Sequence, residues 1–292
     1  MTQVGTGKFT YTRMDDFPRL PAGDSMAVVS RVATDSQDRL YVFQRKNPPV
    51  LVFDRDGNYL KSWGTGAFTD PHGMKIVNDM VYTTDRLDHV ARTFTLDGKL
   101  VQMIGVVGKA SNTGVGKSPY IVKQAAGPFN QPTEMMPGPT GDLYVTDGYG
   151  NCRVHRFTPD GQLIESWGQP GKTEPGHFHL VHGIAIAPDG TLYVCDRSNR
   201  RVQVFSASGK YISAWTGMGG PNDIARDSDG VFYICEQEVD DGPAHICVRD
   251  GTGAVLARWE TRHAHGLTVD SRGDIYVGLS TSHHVDKYVR KR

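Results

Sequence analysis

Histidine stands directly before glycine at three places in this 292-residue chain: His72-Gly73, His182-Gly183 and His265-Gly266. Neutral imidazoles are good ligands for a divalent ion, and three of them with an open fourth position are the donor set of a catalytic zinc site. A glycine beside each has no Cβ and leaves room next to a crowded ligand. His179 and His263 lie just upstream of two of these histidines and are rival ligands, although neither recurs elsewhere in the chain. His283-His284 falls in a late hairpin and reads as surface. Whether the three imidazoles converge depends on the fold that carries them.

That fold is written in a repeat. Between Glu174 and Trp215 stand four short apolar runs, GIAIA, TLYVCD, RVQVFS and KYISAW, each ended by a turn signal such as Pro188-Asp189-Gly190 or Ser208-Gly209. Alternating, β-branched and aromatic-rich runs of this length read as strands joined by hairpin turns. The second strand recurs around Tyr41, Tyr82, Tyr144, Tyr193, Tyr233 and Tyr276, and the fourth ends in Trp63, Ile104, Trp167, Trp215 and Trp259. A four-stranded unit repeating every ~40–50 residues predicts an all-β, six-bladed β-propeller, one domain over residues 1–292. The sixth unit stops after its third strand, at Lys287-Tyr288-Val289. The strand-like run from Lys8 to Thr12 is expected to supply the missing outer strand and so protect a free sheet edge.

Counting back from the aligned tyrosines to the start of each innermost strand gives Ser30, His72, Thr133, His182, Asn222 and His265. Histidine fills every second blade. The innermost strands of a propeller line its channel, so these imidazoles are expected to meet there from one rim. A single histidine at a strand start is usually core or surface; three in equivalent alternate slots are a ligand set. Asn222 is the one amide or carboxylate among the six, which argues against a calcium-type lactonase site.

The composition narrows the partners. Lys+Arg and Asp+Glu are equal at 32 each, so nothing suggests nucleic acid or an anionic membrane as partner, and a small-molecule substrate is expected from the histidine set instead. No apolar run reaches the ~18 residues of a membrane span. Met1 to Gly7 lacks the basic and apolar regions of a signal peptide, and a cytoplasmic location is expected. Cys152, Cys195, Cys235 and Cys247 show no C-x-x-C spacing. Cys195 and Cys235 share one repeat position, so they read as small, reduced packing residues. Residues 105–130 interrupt the repeat between blades two and three with a long Gly- and Ser-rich loop, expected to be a lid over one mouth. Gly116-Lys117-Ser118 within it lacks the strand-then-helix setting of a phosphate-binding loop. The acidic run Glu236 to Asp241 and the terminal Arg290-Lys291-Arg292 read as solvated.

The runs Val145-Thr-Asp-Gly-Tyr-Gly-Asn-Cys-Arg153, Gln162-Leu-Ile-Glu-Ser-Trp-Gly168, Leu180-Val-His-Gly183 and Cys195-Asp-Arg-Ser-Asn-Arg200 resemble the lyase domain of peptidylglycine α-amidating enzymes. These are NHL-type propellers, and the resemblance spans nearly the whole chain. It implies that His72, His182 and His265 hold zinc or another divalent metal and that Tyr149 is the general base. It also implies that Arg45 binds the substrate carboxylate, with Arg197 a second arginine near the site. The chemistry suits those types, since a metal polarises a hydroxyl, nearby cations favour phenolate, and guanidinium grips carboxylate in two bonds. On their own, Tyr149 also reads as a hairpin aromatic between blades, and Arg45 and Arg197 as blade-bridging ion-pair partners. Two departures stand out: Gly150 replaces a cysteine of the secreted members, and His263 replaces a methionine near the third histidine. The implied activity is cleavage of a C–N bond at an α-hydroxylated carbon. A metal-dependent hydrolase or hydratase, and a non-enzymatic NHL scaffold, are the alternatives.

Overall fold

The computed structural model describes residues 2–14, 17–116, 121–238 and 242–292. Among them are strands throughout and a single short 3-10 turn, Arg197–Asn199. Five sheets of four consecutive strands, and a sixth in which the last three strands pair with an N-terminal one, are the six blades of a β-propeller, the fold class that the repeat predicts. The chain divides into two compact units, Met1–Ala67 with Asn222–Arg292, and Phe68–Pro221.

The first unit holds blades one, five and six. Blade one is Val29–Thr34, Leu40–Gln44, Val50–Phe53 and Tyr59–Trp63. Its three inner strands are buried on both faces and its outer strand is half-exposed. That gradient explains the sequence pattern: a strand covered on both sides reads as a continuous apolar run, and alternation survives only at the rim. The aligned tyrosines tie each blade to its own first turn. Tyr41, Tyr233 and Tyr276 donate hydrogen bonds to Asp35, Asp227 and Asp270 at 3.2, 3.0 and 3.1 Å.

Blade six is completed as expected, by an N-terminal strand, Phe9–Met14, which pairs with His284–Arg290 in the register Tyr11↔Arg290 and Thr12↔Val289. A further strand, Thr2–Thr6, adds a fifth. One surface assignment needs correcting: Glu236 is fully buried and bonds Arg258 at 2.6 Å, although residues 239–241 of that acidic run lie outside the described residues. Arg290 is half-buried with its guanidinium over Phe9 at 5.3 Å, whereas Lys291 and Arg292 are exposed as expected.

The second unit holds blades two, three and four. Several described residues of the long connection at 105–130 are anchored to the blades. The Thr113 hydroxyl donates to the Gly150 carbonyl at 2.5 Å, Asn130 Nδ2 donates to the Ser111 carbonyl at 2.9 Å, and Phe129 is buried. Val122 and Ala125 join the apolar cluster around Phe178 and Val181. Gly116 is described, whereas Lys117 and Ser118 lie outside the described residues. All four cysteines are free and buried, and burial pushes the Cys152 thiol up to about 12 and that of Cys247 up to about 11.

Candidate active site

In the second unit, each blade's second strand ends in a buried aspartate whose carboxylate accepts a backbone N–H just before that blade's own slot residue. Asp85 takes the N–H of Thr69 at 2.7 Å, Asp147 that of Asn130 at 2.9 Å, and Asp196 that of His179 at 2.9 Å. These bonds fix the approach to His72, Thr133 and His182. His179, the rival ligand, is held here by its main chain.

His72 and His182 are fully buried, with ring centroids 4.9 Å apart and planes at 77°. His72 Nδ1 lies 2.8 Å from the carbonyl oxygen of Thr133. A carbonyl only accepts, so Nδ1 carries the proton and Nε2 keeps its lone pair for a ligand. The strand of His182 is fastened from two sides. The hydroxyls of Thr133 and Thr146 lie 3.1 Å from the carbonyls of Val181 and His182, and Glu134 accepts the Ile184 N–H at 3.0 Å. Gly73 is required for space, because a Cβ there would stand 2.3 Å from the Thr133 carbonyl oxygen.

Tyr149 joins these two histidines. Its hydroxyl is 3.3 Å from His182 Nε2, and its ring stands edge-on to His72 at 5.2 Å. Arg197 donates to that hydroxyl at 3.1 Å. The Arg197 and Arg86 guanidinium carbons lie 5.2 and 4.8 Å from the centre of the Tyr149 ring. Arg86 is held by Asp70 at 2.6 Å. Sequence reasoning missed Arg86, although Asp85-Arg86 stands in the same repeat position as Asp196-Arg197.

His265 belongs to the first unit, where its surroundings follow the same plan. Its Nδ1 lies 2.8 Å from the Ser30 carbonyl oxygen and 3.0 Å from Arg31 Nη1, so an acceptor and a donor both face that nitrogen. Asp223 accepts the Leu267 N–H at 3.0 Å, as Glu134 does for Ile184. Next to it, Arg31 is wholly buried: Nη1 donates to the carbonyls of His265 and Ser30 at 2.6 and 3.0 Å, and Nε lies 3.6 Å from Asp223. The slots without histidine thus have work of their own, since Thr133 supplies the acceptor that sets the His72 tautomer and Ser30 places a carbonyl beside His265. His263 instead pairs with Glu238 at 2.8 Å. Arg45, half-buried in this unit, follows Gln44 in the repeat position that Arg86 and Arg197 occupy in the other. Its backbone N–H donates to the Val28 carbonyl at 3.0 Å.

Comparison with known proteins agrees with this picture at the level of family and fold. The NHL repeat pattern matches residues 178–205. The mouse protein named NHL repeat-containing protein 3 is 33% identical over 223 residues, 70% of this chain and 61% of that protein. Peptidyl-glycine alpha-amidating monooxygenase B of Xenopus laevis is 32% identical over 280 residues, 87% of this chain and 31% of that protein. A Drosophila melanogaster protein named peptidyl-alpha-hydroxyglycine alpha-amidating lyase 1 is 30% identical over 173 residues, 56% of this chain and 30% of its own length. The chain therefore spans about six tenths of the first of these relatives and under a third of the other two. Among solved structures, a streptogramin B lyase superposes with a TM-score of 0.64 at 13% identity, covering 92% of this chain and 95% of that one. A gluconolactonase from Xanthomonas campestris gives 0.65 at 16%, covering 91% and 88%. At such identities the likeness concerns the fold. Among the described residues, no helix is long and apolar enough to cross a membrane.

Proposed function

We propose that this NHL-repeat β-propeller is a metal-dependent lyase that breaks the C–N bond at a hydroxylated carbon of a small, carboxylate-bearing substrate. The observation that carries the reading is the phenol of Tyr149, set between the Arg197 guanidinium and Nε2 of His182. No hairpin aromatic needs those neighbours for packing alone. The relatives named as amidating enzymes and lyase support the same reaction class.

His72, His182 and His265 are assigned to zinc or another divalent ion. The donor set fits, because imidazole is a good zinc ligand and the Nδ1–carbonyl bond of His72 leaves its Nε2 as the coordinating atom. When bound there, zinc supplies Lewis acidity toward the substrate hydroxyl.

The chain's own residues do the rest. Tyr149 accepts the proton of the substrate hydroxyl, and Arg197 and Arg86 offset the negative charge on its ring and oxygen. As the C–O bond becomes a carbonyl, the C–N bond breaks and its electron pair goes to nitrogen. Tyr149 then returns the proton to that nitrogen. An N-acyl-α-hydroxyglycine, R–CO–NH–CH(OH)–COO⁻, so yields R–CO–NH₂ and OHC–COO⁻. Arg197 and Arg45 are assigned to the substrate carboxylate, which guanidinium grips in two parallel bonds. We further assign the activity to residues 1–292 acting as one domain, in the cytoplasm.

The test supplies α-hydroxyhippurate to protein purified without a histidine tag and loaded with zinc. Release of glyoxylate and benzamide above the uncatalysed rate is expected. Bound zinc with cleavage of a lactone or ester and none of α-hydroxyhippurate would make the protein a hydrolase. No bound metal would leave a scaffold.

A further inference from the structure

An apolar pocket of about 280 Å³ lies within the second unit beside the Tyr149 turn. Cys152 and Phe178, both buried, line it, as do Ile121 and Val122 from the long connection. Leu180 forms another wall, and Lys172 is exposed beside it. One feature goes beyond what packing demands. Ile121 is 60% exposed, an apolar side chain left to water at the margin of an apolar cavity.

The residues that line the pocket are chain neighbours of the reacting cluster. Asn151 and Cys152 continue the turn that carries Tyr149, and Leu180 leads through Val181 to His182. The backbone N–H of Arg197 donates to the Leu180 carbonyl at 3.2 Å, which joins the Arg197 turn to that wall. A substrate whose carboxylate lies on Arg197 has its nitrogen substituent left to place.

We infer that this pocket receives an apolar acyl group on the nitrogen side of the substrate. The substrate class is then an N-acyl-α-hydroxy acid with an aromatic or short branched acyl group. At 280 Å³ the cavity is at the small end of ligand pockets, which run from about 300 Å³ upward, and suits one ring better than a length of peptide. The charged Lys172 at its side suits water and not an acyl chain, so the group is bounded in length. This inference rests on the lyase reading for its chemistry, but its binding test does not.

The probes are unreactive N-acylglycines, acetyl, isovaleryl and benzoyl, titrated calorimetrically into the zinc-loaded protein, alongside turnover of the matching α-hydroxy compounds. Benzoyl is expected to bind about 10-fold or more tighter than acetyl, since one apolar group in a fitted pocket discriminates to that extent. In Ile121→Glu, at an exposed position where folding is little disturbed, the benzoyl-to-acetyl ratio should fall toward one. Leu180→Gly, which keeps the positive φ of that position and removes the side chain, should do the same. Equal binding of all three acyl groups, or an unchanged ratio in both variants, overturns the pocket assignment. Acyl preference in binding with no turnover of any α-hydroxy compound would sustain the pocket and sink the lyase reading instead.

Discussion

The hydroxyl of Tyr149 stands 3.3 Å from Nε2 of His182, one of the three histidines assigned to the metal. A phenol at that distance can serve the same substrate oxygen as the ion without being a ligand. Tyr149→Phe keeps the buried ring and removes only the oxygen. It should lower kcat by about 10²–10⁴-fold, the usual contribution of a positioned base. Metal content and urea midpoint should stay as in the wild type. A variant that keeps wild-type kcat would remove Tyr149 from the chemistry.

Arg31 is a permanent charge buried between the carbonyls of Ser30 and His265 and near Asp223. Arg31→Met leaves Asp223 without that cation. Breaking a buried pair from one side costs about 3–5 kcal/mol, so the urea midpoint should fall accordingly. Asp223 also holds the Leu267 N–H beside His265, and zinc affinity should fall with stability. Arg31→Lys should restore part of both. Equal midpoints for Met and wild type would mean that the guanidinium does not organise this strand.

Gly73 presses on main chain, where a Cβ would meet the Thr133 carbonyl oxygen at 2.3 Å, whereas Gly251 has open space around it. Gly73→Ala should therefore destabilise by about 1–3 kcal/mol, the range for overpacking, and weaken zinc binding by shifting His72. Gly251→Ala is the control, expected to change the midpoint little. Similar midpoints for the two alanine variants would count against the close approach.

Much of this was legible in the sequence, and the limits are physical. Tyrosines, Asp-Gly turns and terminal tryptophans repeat because every blade solves the same packing problem, so the propeller and the histidine slots could be counted. Glu134 and Asp223 looked like ordinary strand residues. Their work is to hold a backbone N–H in the following blade, a contact that no one-dimensional period records. Arg86 was there to be found by aligning Asp85-Arg86 with Asp196-Arg197, but it took the ring of Tyr149 to give it a purpose. The strand Thr2–Thr6 carries only one aliphatic side chain, Val4, and forms because its partner Phe9–Met14 offers a free edge.

Burial raises the Cys152 and Cys247 thiols to about 12 and about 11 from a usual value near 9. A proton held more tightly in the folded state stabilises it below the unfolded pKa, and that stability is lost as pH rises. The loss begins near pH 9 and continues toward the folded values. At pH 10.5 Cys152 alone should cost on the order of 2 kcal/mol relative to pH 8. Urea midpoints at the two pH values should differ less for Cys152→Ala than for the wild type. An identical pH dependence would mean that the thiol ionises freely.

Zinc bound per chain, measured after loading and removal of excess ion from untagged protein, bears most directly on the site. About one ion per wild-type chain is expected, with loss in His72→Ala, His182→Ala and His265→Ala alike, each still folded by its circular dichroism. A wild-type protein that retains no metal, or any one of those variants that retains it fully, would contradict the account.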